Sequence, residues 1–471
     1  MLSWRGSPAR DDGQPIKGAG YVLSIDAKEG DNCQAWLGDR HHIDWNSTQR
    51  GSGNIMRDQV RAYVLGVSTP NGVGAVRSLG RENIDVIAVD SSKGAAGLRS
   101  RYAHPLVIPD PAARPEDALE ALMSQPGNGE KGVLFPTSDA FVLFLSRFRE
   151  QLEERYRFCI PSRRILDGMV NKRAQYEEAM RVGAPLPPTF FPSDMTEVEA
   201  ASERLSYPAF IKPYYSHLWY ARFGNKGFKV NSARELKERY EDVFRAGLEA
   251  LVQTVIDGPN TNHVKVCAYY GMDGSRRALF LTRKIRQNPV EFGVGTTMES
   301  IHDATAERIG LDFLEAIEYR GIGSIELKMD RRTGRYQMIE LNPRLWAQNV
   351  QATYAGVNFP LIQYNDLTGV PPAEQPEWRD GVRWMDAFED ARSFWWYRQR
   401  RMMRLADLVR SWMRTDCYAY LARDDMGPFM AHTGLGVGAA RVAVELLKDE
   451  GREVRRYQGT RSSEPDAGAP A

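Results

Sequence analysis

The sequence of 471 residues predicts a multidomain protein that joins an α/β part to an α+β part. Two buried-strand patterns, 60–67 and 85–90, flank a helix-like segment, which predicts a βαβ unit in a parallel sheet. Two long runs that meet at Met272-Asp273-Gly274 predict a pair of antiparallel strands. Two further strand-like runs within 321–342 flank the turn-forming letters RRTGR and predict a hairpin.

Composition narrows the class of protein. A hydrophobic content of 42% is enough for several cores, and 62 basic residues against 61 acidic ones give no global field for nucleic acid. The four cysteines are far apart and form no CxxC pair, so neither a zinc site nor a disulfide framework is indicated. The N-terminus lacks the apolar core of a secretory signal, and no apolar run approaches the length of a membrane span. We therefore expect a cytoplasmic protein, with homo-oligomeric assembly left open.

The N-terminal part is predicted to hold an extension and one domain. Residues 1–58 are polar and rich in glycine, and we expect them to be poorly ordered. A helix at 116–125 and a strand at 133–139 continue the βαβ pattern, so 59–165 is predicted to be a Rossmann-like domain. The predicted loop at 68–74 lacks the full G-x-G-x-x-G spacing, which favours a fold-building turn and leaves a substrate role open.

The remainder divides into three predicted regions. Residues 166–370 begin with one long helix, ILDGMVNKRAQYEEAMRVG, and contain a small αβ module at 185–256 with a strand hairpin. The region 371–456 is predicted to be mostly helical, and its basic aromatic stretch at 393–414 is more typical of a packed helix than of one on a membrane surface. The tail 457–471 has a disordered composition.

The predicted hairpin places two carboxylates together. If it is centred on Thr333, then Glu326 lies opposite Glu340, and Asn342 shares their face because side chains alternate along a strand. Like charges directly opposite cost up to about 1 kcal/mol, which points to a bound cation. Two carboxylates and one amide suit Mg²⁺, with Mn²⁺ as an alternative. The competing interpretation is an edge hairpin with solvated acids.

The same register makes two further predictions. It places Lys328 opposite Met338. It also assigns four residues to the apolar face of the hairpin: Ile325, Leu327, Ile339 and Leu341.

Six segments occur in an order that resembles the ATP-grasp superfamily of carboxylate–amine ligases, in the branch related to D-aspartate ligases and to the ATP-binding halves of carbamoyl-phosphate synthase. The segments are FPTSD, DGMVNKRAQYEEAMRVGAPLPPT, YPAFIKP, LTRKIRQNPVEFGVGTTMES, YRGIGSIELKMD and MIELNPRLW. The resemblance covers about 60–430. It implies an ATP-grasp lid at about 185–256 and a metal and nucleotide core at about 257–350. It also implies ATP and Mg²⁺ as cofactors and small carboxylate and amine substrates, without nucleic acid or stable membrane insertion.

The resemblance also implies roles for individual residues. Arg344 would direct a planar guanidinium at a phosphate, and Lys284 and Arg286 would add positive charge to the same place. Strand alternation predicts that Lys284 and Arg286 share one face and Arg283 the other. A loop with Gly293, Gly295, Thr296 and Thr297 would offer backbone and hydroxyl donors. The nucleotide-binding residues would be Lys172, Lys212, Lys226, Gln253, Thr254, Val255 and Ile256, the last four as the hinge whose backbone reads adenine.

Two departures from the family pattern affect these roles. The lid tip YYSHLWYARFGNKG is aromatic rather than rich in glycine, so Lys226 would take over part of its contact with phosphate. No acid follows the hinge, so Asn262 or His263 would have to contact the ribose. The implied reaction is ligation through an acyl phosphate with release of ADP and phosphate. Two alternatives stay open: a catalytically silent nucleotide-binding regulator or scaffold, and a nicotinamide-dependent oxidoreductase that uses the loop at 68–74 but leaves the acidic hairpin unexplained.

Overall fold

The computed structural model of the chain describes residues 60–125, 129–371 and 376–434. The extension predicted at 1–58 and the tail predicted at 457–471 lie outside these ranges. Within them, no helix has both the length and the apolar character needed to cross a bilayer.

The first layer is a five-stranded parallel sheet with strand order β3-β2-β1-β4-β5. Its strands are β1 Ala62–Leu65, β2 Val86–Asp90, β3 His104–Val107, β4 Gly132–Pro136 and β5 Tyr156–Arg157. Its helices are α1 Pro70–Gly80, α2 Pro115–Met123, α3 Asp139–Arg147 and α4 Arg149–Glu153. This arrangement confirms the Rossmann-like sheet and adds two strands that were not predicted from the sequence, β3 and β5.

The predicted loop at 68–74 is wrong over most of its length, because α1 already begins at Pro70. Proline suits the first position of a helix, where its fixed φ is helical and its missing N–H is not needed. Gly72 permits close packing of this first turn, since a Cβ there would lie 2.4 Å from the carbonyl oxygen of Gly66. The first turn of α1 therefore packs directly on the end of β1.

The single helix predicted at 165–183 is two helices, α5 Arg163–Val170 and α6 Lys172–Arg181. Asn171 separates them and caps α6, because its side chain accepts a hydrogen bond from the backbone N–H of Arg173 at 2.9 Å. This cap fixes the start of α6, which lies beside the candidate site.

The region predicted to be the lid, and called the lid below, is a four-stranded sheet with order β6-β9-β7-β8 and three helices. Its elements are β6 Thr189–Phe190, α7 Met195–Arg204, β7 Ala209–Pro213, α8 Ser216–Phe223, β8 Phe228–Val230, α9 Ala233–Arg245 and β9 Ala250–Thr254. The predicted pairing of β7 with β8 is confirmed. The aromatic lid tip forms α8, and Trp219 packs on Phe223 and Phe228 with ring centroids 4.8 and 5.1 Å away.

The central sheet has seven strands in the order β14-β13-β10-β11-β12-β15-β16. The strands are β10 His263–Tyr270, β11 Arg276–Asn288, β12 Val294–Ser300, β13 Gly321–Met329, β14 Tyr336–Asn342, β15 Arg383–Met385 and β16 Cys417–Tyr418. The helix α10 Ala304–Ala316 packs against β10 and β13. The predicted turn between β10 and β11 is confirmed.

The predicted donor-rich loop at 293–297 is wrong from Val294 onward, because β12 begins there and only Gly293 lies outside the strand. Thr296 and Thr297 are buried within β12, which pairs with β11 on one side and β15 on the other. A glycine- and threonine-rich segment resembles a loop locally, but pairing with the preceding strand β11 and the distant strand β15 decides its structure.

The acidic hairpin has the predicted register only near the site. Glu326 pairs with Glu340, as predicted, but the register then shifts by one residue, so Leu327 pairs with Met338 and Lys328 with Gln337. The prediction that Lys328 faces Met338 is therefore wrong. The prediction that Ile339 lies on the apolar face is wrong as well, because this β-bulge puts Met338 into the core in its place.

The chain after the hairpin returns to the parallel sheet. Its helices are α11 Asn349–Ala355, α12 Phe359–Leu367, α13 Ala387–Gln399, α14 Leu405–Met413 and α15 Gly427–Thr433. Arg77 of α1 donates to the Asp425 carboxylate at 3.0 Å, and both side chains are fully buried. The C-terminal region is thus a mixture of helices and two strands that complete the central sheet and hold it to α1.

Candidate active site

Glu326 lies in β13 with two partners on the neighbouring strand. Lys265 Nζ of β10 is 3.1 Å from one carboxylate oxygen of Glu326, and His263 Nε2 is 2.8 Å from the other, although the ring N–H is poorly aligned with it. Burial alone would raise the pKa of Glu326, but Lys265 and His263 hold it well below its usual range. Burial and the nearby Lys284 lower the pKa of His263 to about 4, so its imidazole is uncharged at neutral pH.

Glu340 and Asn342 of β14 lie side by side next to Glu326. The Asn342 amide donates to a Glu340 carboxylate oxygen at 3.1 Å, and Glu340 is directly across the ladder from Glu326. Within the described ranges, no group of three His, Cys, Asp or Glu side chains could hold a metal by itself. The donor set of two carboxylates and one amide nevertheless suits Mg²⁺, which takes few protein ligands and completes its shell with phosphate and water.

Lys284 of β11 brings a buried ammonium group to these carboxylates. It donates to the Gln287 side-chain oxygen at 3.2 Å and to the Gly293 carbonyl at 3.3 Å. Burial lowers its pKa to about 8, although Glu326 and Glu340 act in the opposite direction. A buried lysine whose direct acceptors are neutral is available to bind an anion.

Arg286 belongs to a different environment. Its guanidinium donates to both carboxylate oxygens of Asp390 on α13, at 2.8 and 2.9 Å, and to the hydroxyls of Thr297 and Ser411. The predicted shared face of Lys284 and Arg286 is wrong, because β-bulges on either side of Arg286 interrupt the alternation. Arg286 thus joins β11 to α13 and α14.

Arg344 is held by the parallel sheet. Its guanidinium donates to the carboxylate of Asp139, at the first position of α3, and to the carbonyl of Leu345 at 3.4 Å. The segment after β14 is anchored in the same way, since Asn71 of α1 donates to the Leu345 carbonyl at 2.9 Å. The end of the acidic hairpin therefore meets the carboxyl edge of the parallel sheet.

The lid contributes a second lysine, Lys212 of β7. It donates to the Tyr176 hydroxyl at 2.8 Å and to the Gln253 side-chain oxygen at 2.7 Å. Tyr176 in turn donates to the backbone carbonyl of Ile339 at 2.6 Å. This chain of hydrogen bonds connects the lid, α6 and the acidic hairpin.

The predicted hinge at 253–256 begins with the last two residues of β9, and the protein itself uses several of its backbone groups. Thr254 N–H donates to Pro188 and Val255 N–H to Pro208, while the Ile256 carbonyl accepts from Lys328 at 2.8 Å. A nucleotide base at this hinge would therefore have to use groups other than these two N–H donors.

The other predicted nucleotide residues lie around this region. The backbone N–H of Lys172, the first residue of α6, donates to the Tyr214 carbonyl at 3.2 Å, and Lys226 is exposed at the lid tip. Both residues predicted to contact the ribose already have partners in the protein: Asn262 donates to the Met329 carbonyl, and His263 contacts Glu326.

The lid also touches the core beyond the hinge. Phe210 of β7 packs on Phe292 with ring centroids 4.4 Å apart, and Lys229 pairs with Glu291 at 3.0 Å. Phe292 and Glu291 lie in the turn between β11 and β12. These contacts bring the lid over the strand that carries Lys284.

Sequence reasoning missed three polar partners of the site: Lys265, Tyr176 and Asp139. Lys265 had a usable signal, because His263 and Lys265 alternate with buried apolar residues at the start of β10. Tyr176 and Asp139 had none, since each meets its partner only through contacts between distant elements.

A Rossmann-like sheet, a small αβ lid and a large, mainly antiparallel sheet that carries an acidic hairpin together define the ATP-grasp fold. The expected superfamily resemblance is confirmed by comparison with known proteins. No family model matches the chain. The chain is 24% identical over 241 residues to D-aspartate ligase of Enterococcus faecium, covering 49% of this chain and 57% of that protein.

A second curated relative is acetyl-CoA carboxylase 2 of Oryza sativa subsp. japonica, 27% identical over 194 residues, which are 39% of this chain and 8% of that protein. The chain thus spans little more than half of the first relative and a small part of the second.

Solved structures agree on the fold. N5-carboxyaminoimidazole synthetase of Staphylococcus aureus in complex with ADP aligns with a TM-score of 0.54 at 16% identity, covering 68% of this chain and 80% of that one. The biotin carboxylase–β,γ-ATP complex of Campylobacter jejuni aligns with a TM-score of 0.53 at 16% identity, covering 69% and 74%. The chain has an ATP-grasp fold and is a relative of the carboxylate–amine ligases with that fold.

Proposed function

We propose that the protein is an ATP-dependent ligase that joins a carboxylate to an amine through an acyl phosphate and releases ADP and phosphate. The carboxylate would belong to an amino acid or another small acid. The observation that carries the proposal is the pairing of Glu326 with Glu340, next to Asn342 and within electrostatic range of the buried Lys284. This combination of oxygen ligands and a buried cation suits a triphosphate with Mg²⁺.

Amide formation in water is uphill, so the carboxylate must first be activated. The γ-phosphoryl group of ATP would pass to a carboxylate oxygen of the acid, breaking the bond to the β-phosphate oxygen and releasing ADP. The amine would then attack the acyl carbon and expel phosphate. No side-chain nucleophile is required, so the protein contributes positioning and charge compensation.

The residues of the site divide this work. Glu326, Glu340 and Asn342 would hold Mg²⁺, which neutralises phosphate charge when it is bound. Lys212 would bind the phosphates from the lid, with Lys172 and Lys226 as further candidates and the hinge at 253–256 on the adenine. Lys284 would stabilise charge that develops on the transferred group.

The two predicted catalytic arginines would act in different ways. Arg344 would act on phosphate only if it exchanged Asp139 for the substrate, and we propose that exchange as part of closure. Arg286 would act indirectly, by fixing the strand on which Lys284 lies, because its own guanidinium is occupied by Asp390.

Closure would protect the acyl phosphate from water. The contact of Phe210 with Phe292 covers the turn next to Lys284, and a dry site strengthens every electrostatic interaction in it. Mn²⁺ in place of Mg²⁺ and assembly into a homo-oligomer remain proposals of the same kind.

Trapping with hydroxylamine tests the proposal. A panel of amino acids and small acids is incubated with ATP and Mg²⁺, and hydroxylamine should convert the acyl phosphate of the correct acid into a hydroxamate while ADP and phosphate appear in equal amounts. Reactions without ATP, or with the Glu340→Gln variant, serve as controls.

Other outcomes point to other functions. AMP with pyrophosphate would indicate adenylation and overturn the acyl-phosphate step. Tight ATP binding without a hydroxamate from any acid would favour a silent regulator. Turnover that needs a nicotinamide cofactor and no ATP would favour an oxidoreductase.

A further inference from the structure

The helix α14 has an apolar stripe on its outer side as well as on its inner side. Leu405, Val409 and Met413 are spaced by four residues and are 57%, 51% and 61% exposed. The inner side of α14 packs on the protein, since Leu408 is buried and Ser411 accepts a hydrogen bond from Arg286. A helix with one packed face usually presents polar groups on the other, so the outer stripe needs an explanation.

Two large apolar side chains that shortly precede α14 in the sequence are exposed as well. Trp395 of α13 is 55% exposed and Met402, between α13 and α14, is 62% exposed. Together with the outer stripe they supply five of the fourteen large hydrophobic side chains that are exposed in the described part of the chain. We call these five residues, Trp395, Leu405, Val409, Met413 and Met402, the 395–413 patch.

The patch lies within a concentration of positive charge. Residues 398–414 contain six arginines and one aspartate, a formal charge of +5, whereas the whole chain has +1. All six arginines are exposed: Arg398, Arg400, Arg401, Arg404, Arg410 and Arg414. Asp407 pairs with Arg410 at 3.2 Å and Glu291 with Arg400 at 3.8 Å, so two of the six positive charges are offset locally and the region stays basic.

We propose that the 395–413 patch docks the protein on an anionic lipid surface. Outward apolar side chains with tryptophan and many arginines are the pattern of a helix that lies in the membrane interface, where the arginines meet lipid phosphates and the apolar groups enter the acyl boundary. The helix α14 has only nine residues and its inner side is packed on the protein, so the proposed contact is peripheral.

Charge decides between this partner and a second copy of the chain. A two-fold contact through the patch would bring the basic region of one copy against the same region of the other, and like charges would oppose it. An anionic bilayer is complementary both to the positive charge of the arginines around the patch and to the apolar side chains within it. Nucleic acid would match the arginines but not the exposed Leu405, Val409 and Met413.

The test is co-sedimentation of the full chain with vesicles. Vesicles of phosphatidylcholine with phosphatidylglycerol should bind the protein, and vesicles of phosphatidylcholine alone should bind it much more weakly. High salt should release it, because screening weakens the attraction to anionic headgroups.

Two sets of substitutions separate the two contributions. Changing Arg398, Arg401 and Arg414 to Gln together should lower the partition coefficient on anionic vesicles about a hundredfold. Changing Leu405, Val409 and Met413 to Gln together should lower it by at least about tenfold. Met272→Gln, at an equally exposed methionine in the turn between β10 and β11, is the matched control and should bind as the original protein does.

Thermal unfolding and hydroxamate formation are measured on every variant, so a folding defect or a failed ligase assignment is distinguished from loss of docking. Absence of vesicle binding by the full chain, which includes residues 435–471, would overturn the proposal. Equal binding to neutral and anionic vesicles would overturn it too. Self-association that the Gln variants of the apolar stripe abolish, without vesicle binding, would assign the patch to contact between copies.

Discussion

Lys284 and Arg286 lie on the same strand, and both are buried, yet their surroundings are opposite. Arg286 meets the Asp390 carboxylate with two hydrogen bonds, and Thr296, Thr297 and Trp412 complete the bonding of that carboxylate. Lys284 donates to two neutral oxygens and has its acidic neighbours only at longer range. A buried charge that is fully compensated holds the fold together, whereas one that is partly compensated is ready for a ligand.

The same contrast applies elsewhere in the molecule. Arg77 is compensated like Arg286, with Asp425 and two backbone carbonyls as acceptors. Lys212 resembles Lys284, since its acceptors are the Tyr176 hydroxyl and the Gln253 amide. The compensated cations join domains, and the other two lie where the phosphates of a nucleotide are proposed to bind.

The largest effect is expected from breaking the compensated pair. Arg286→Met leaves the Asp390 carboxylate buried without its counter-charge, which should lower the free energy of unfolding by about 3–5 kcal/mol. Urea unfolding followed by circular dichroism measures this change. Arg410→Met, which removes an exposed partner of Asp407, is the control and should cost less than about 1 kcal/mol. Equal stability of the two variants would contradict the structural role of Arg286.

The acidic hairpin should show the reverse pattern, with a large effect on turnover and little on stability. Glu340→Gln removes one metal ligand, so the rate of ATP-dependent hydroxamate formation should fall roughly a hundredfold or more. It also removes one of two facing charges, so thermal stability without Mg²⁺ should be unchanged or higher. A fully active variant, or one that fails to fold, would contradict the assignment of Glu340 as a metal ligand.

The titration of Lys284 provides a smaller and more specific effect. Its pKa of about 8 predicts that activity declines as the pH rises above 8, because the ammonium loses its proton. At about pH 9 the loss should approach tenfold. Lys284→Arg keeps its charge over the whole accessible pH range, so the decline in activity between pH 8 and 9 should be absent.

The contribution of Lys284 to the stability of the folded chain should rise with pH, whereas the activity should fall. Since burial lowers the pKa of Lys284 from its unfolded value of 10.5, the cost of the buried charge is fully present below pH 8. Between pH 8 and 10.5 the unfolded chain holds more protons, so the contribution of this residue to stability rises with pH. Lys284→Met should remove that rise. Identical pH profiles in the original protein and in both variants would show that Lys284 does not titrate in this range.

A structural feature could be predicted from the sequence when the residues that determine it lie close together in the chain. The pairing of Glu326 with Glu340 was predictable, because a short turn fixes the register of a hairpin and side chains alternate from there. The shift at Ile339 was not, because the carbonyl of Ile339 accepts a hydrogen bond from Tyr176, which lies on α6 far away in the chain. A bulge stabilised by a distant hydroxyl leaves no mark in the strand sequence.

The wrong prediction for Arg286 has a similar cause. Alternation placed it with Lys284, but bulges in β11 separate them, and Asp390 on the distant α13 takes the guanidinium. The start of α1 is different, because Pro70 is itself a signal for the first turn of a helix and was available in the sequence. Sequence reasoning thus recovered the fold class and the acidic pair, and it failed where long-range contacts reposition a side chain.

The smallest effect is expected for Lys212 in the lid. It tests whether a lysine with uncharged hydrogen-bond acceptors binds a ligand there as well. Lys212→Met removes an ammonium held by Tyr176 and Gln253, so the Kd for ATP with Mg²⁺ should rise about fivefold, equivalent to about 1 kcal/mol. Lys229→Met is the matched control, because it removes a lysine from the same lid that is already paired with Glu291 at 3.0 Å. Isothermal titration calorimetry measures both affinities. A larger loss in Lys229→Met than in Lys212→Met would mean that the kind of acceptor does not distinguish ligand-binding lysines from structural ones in this protein.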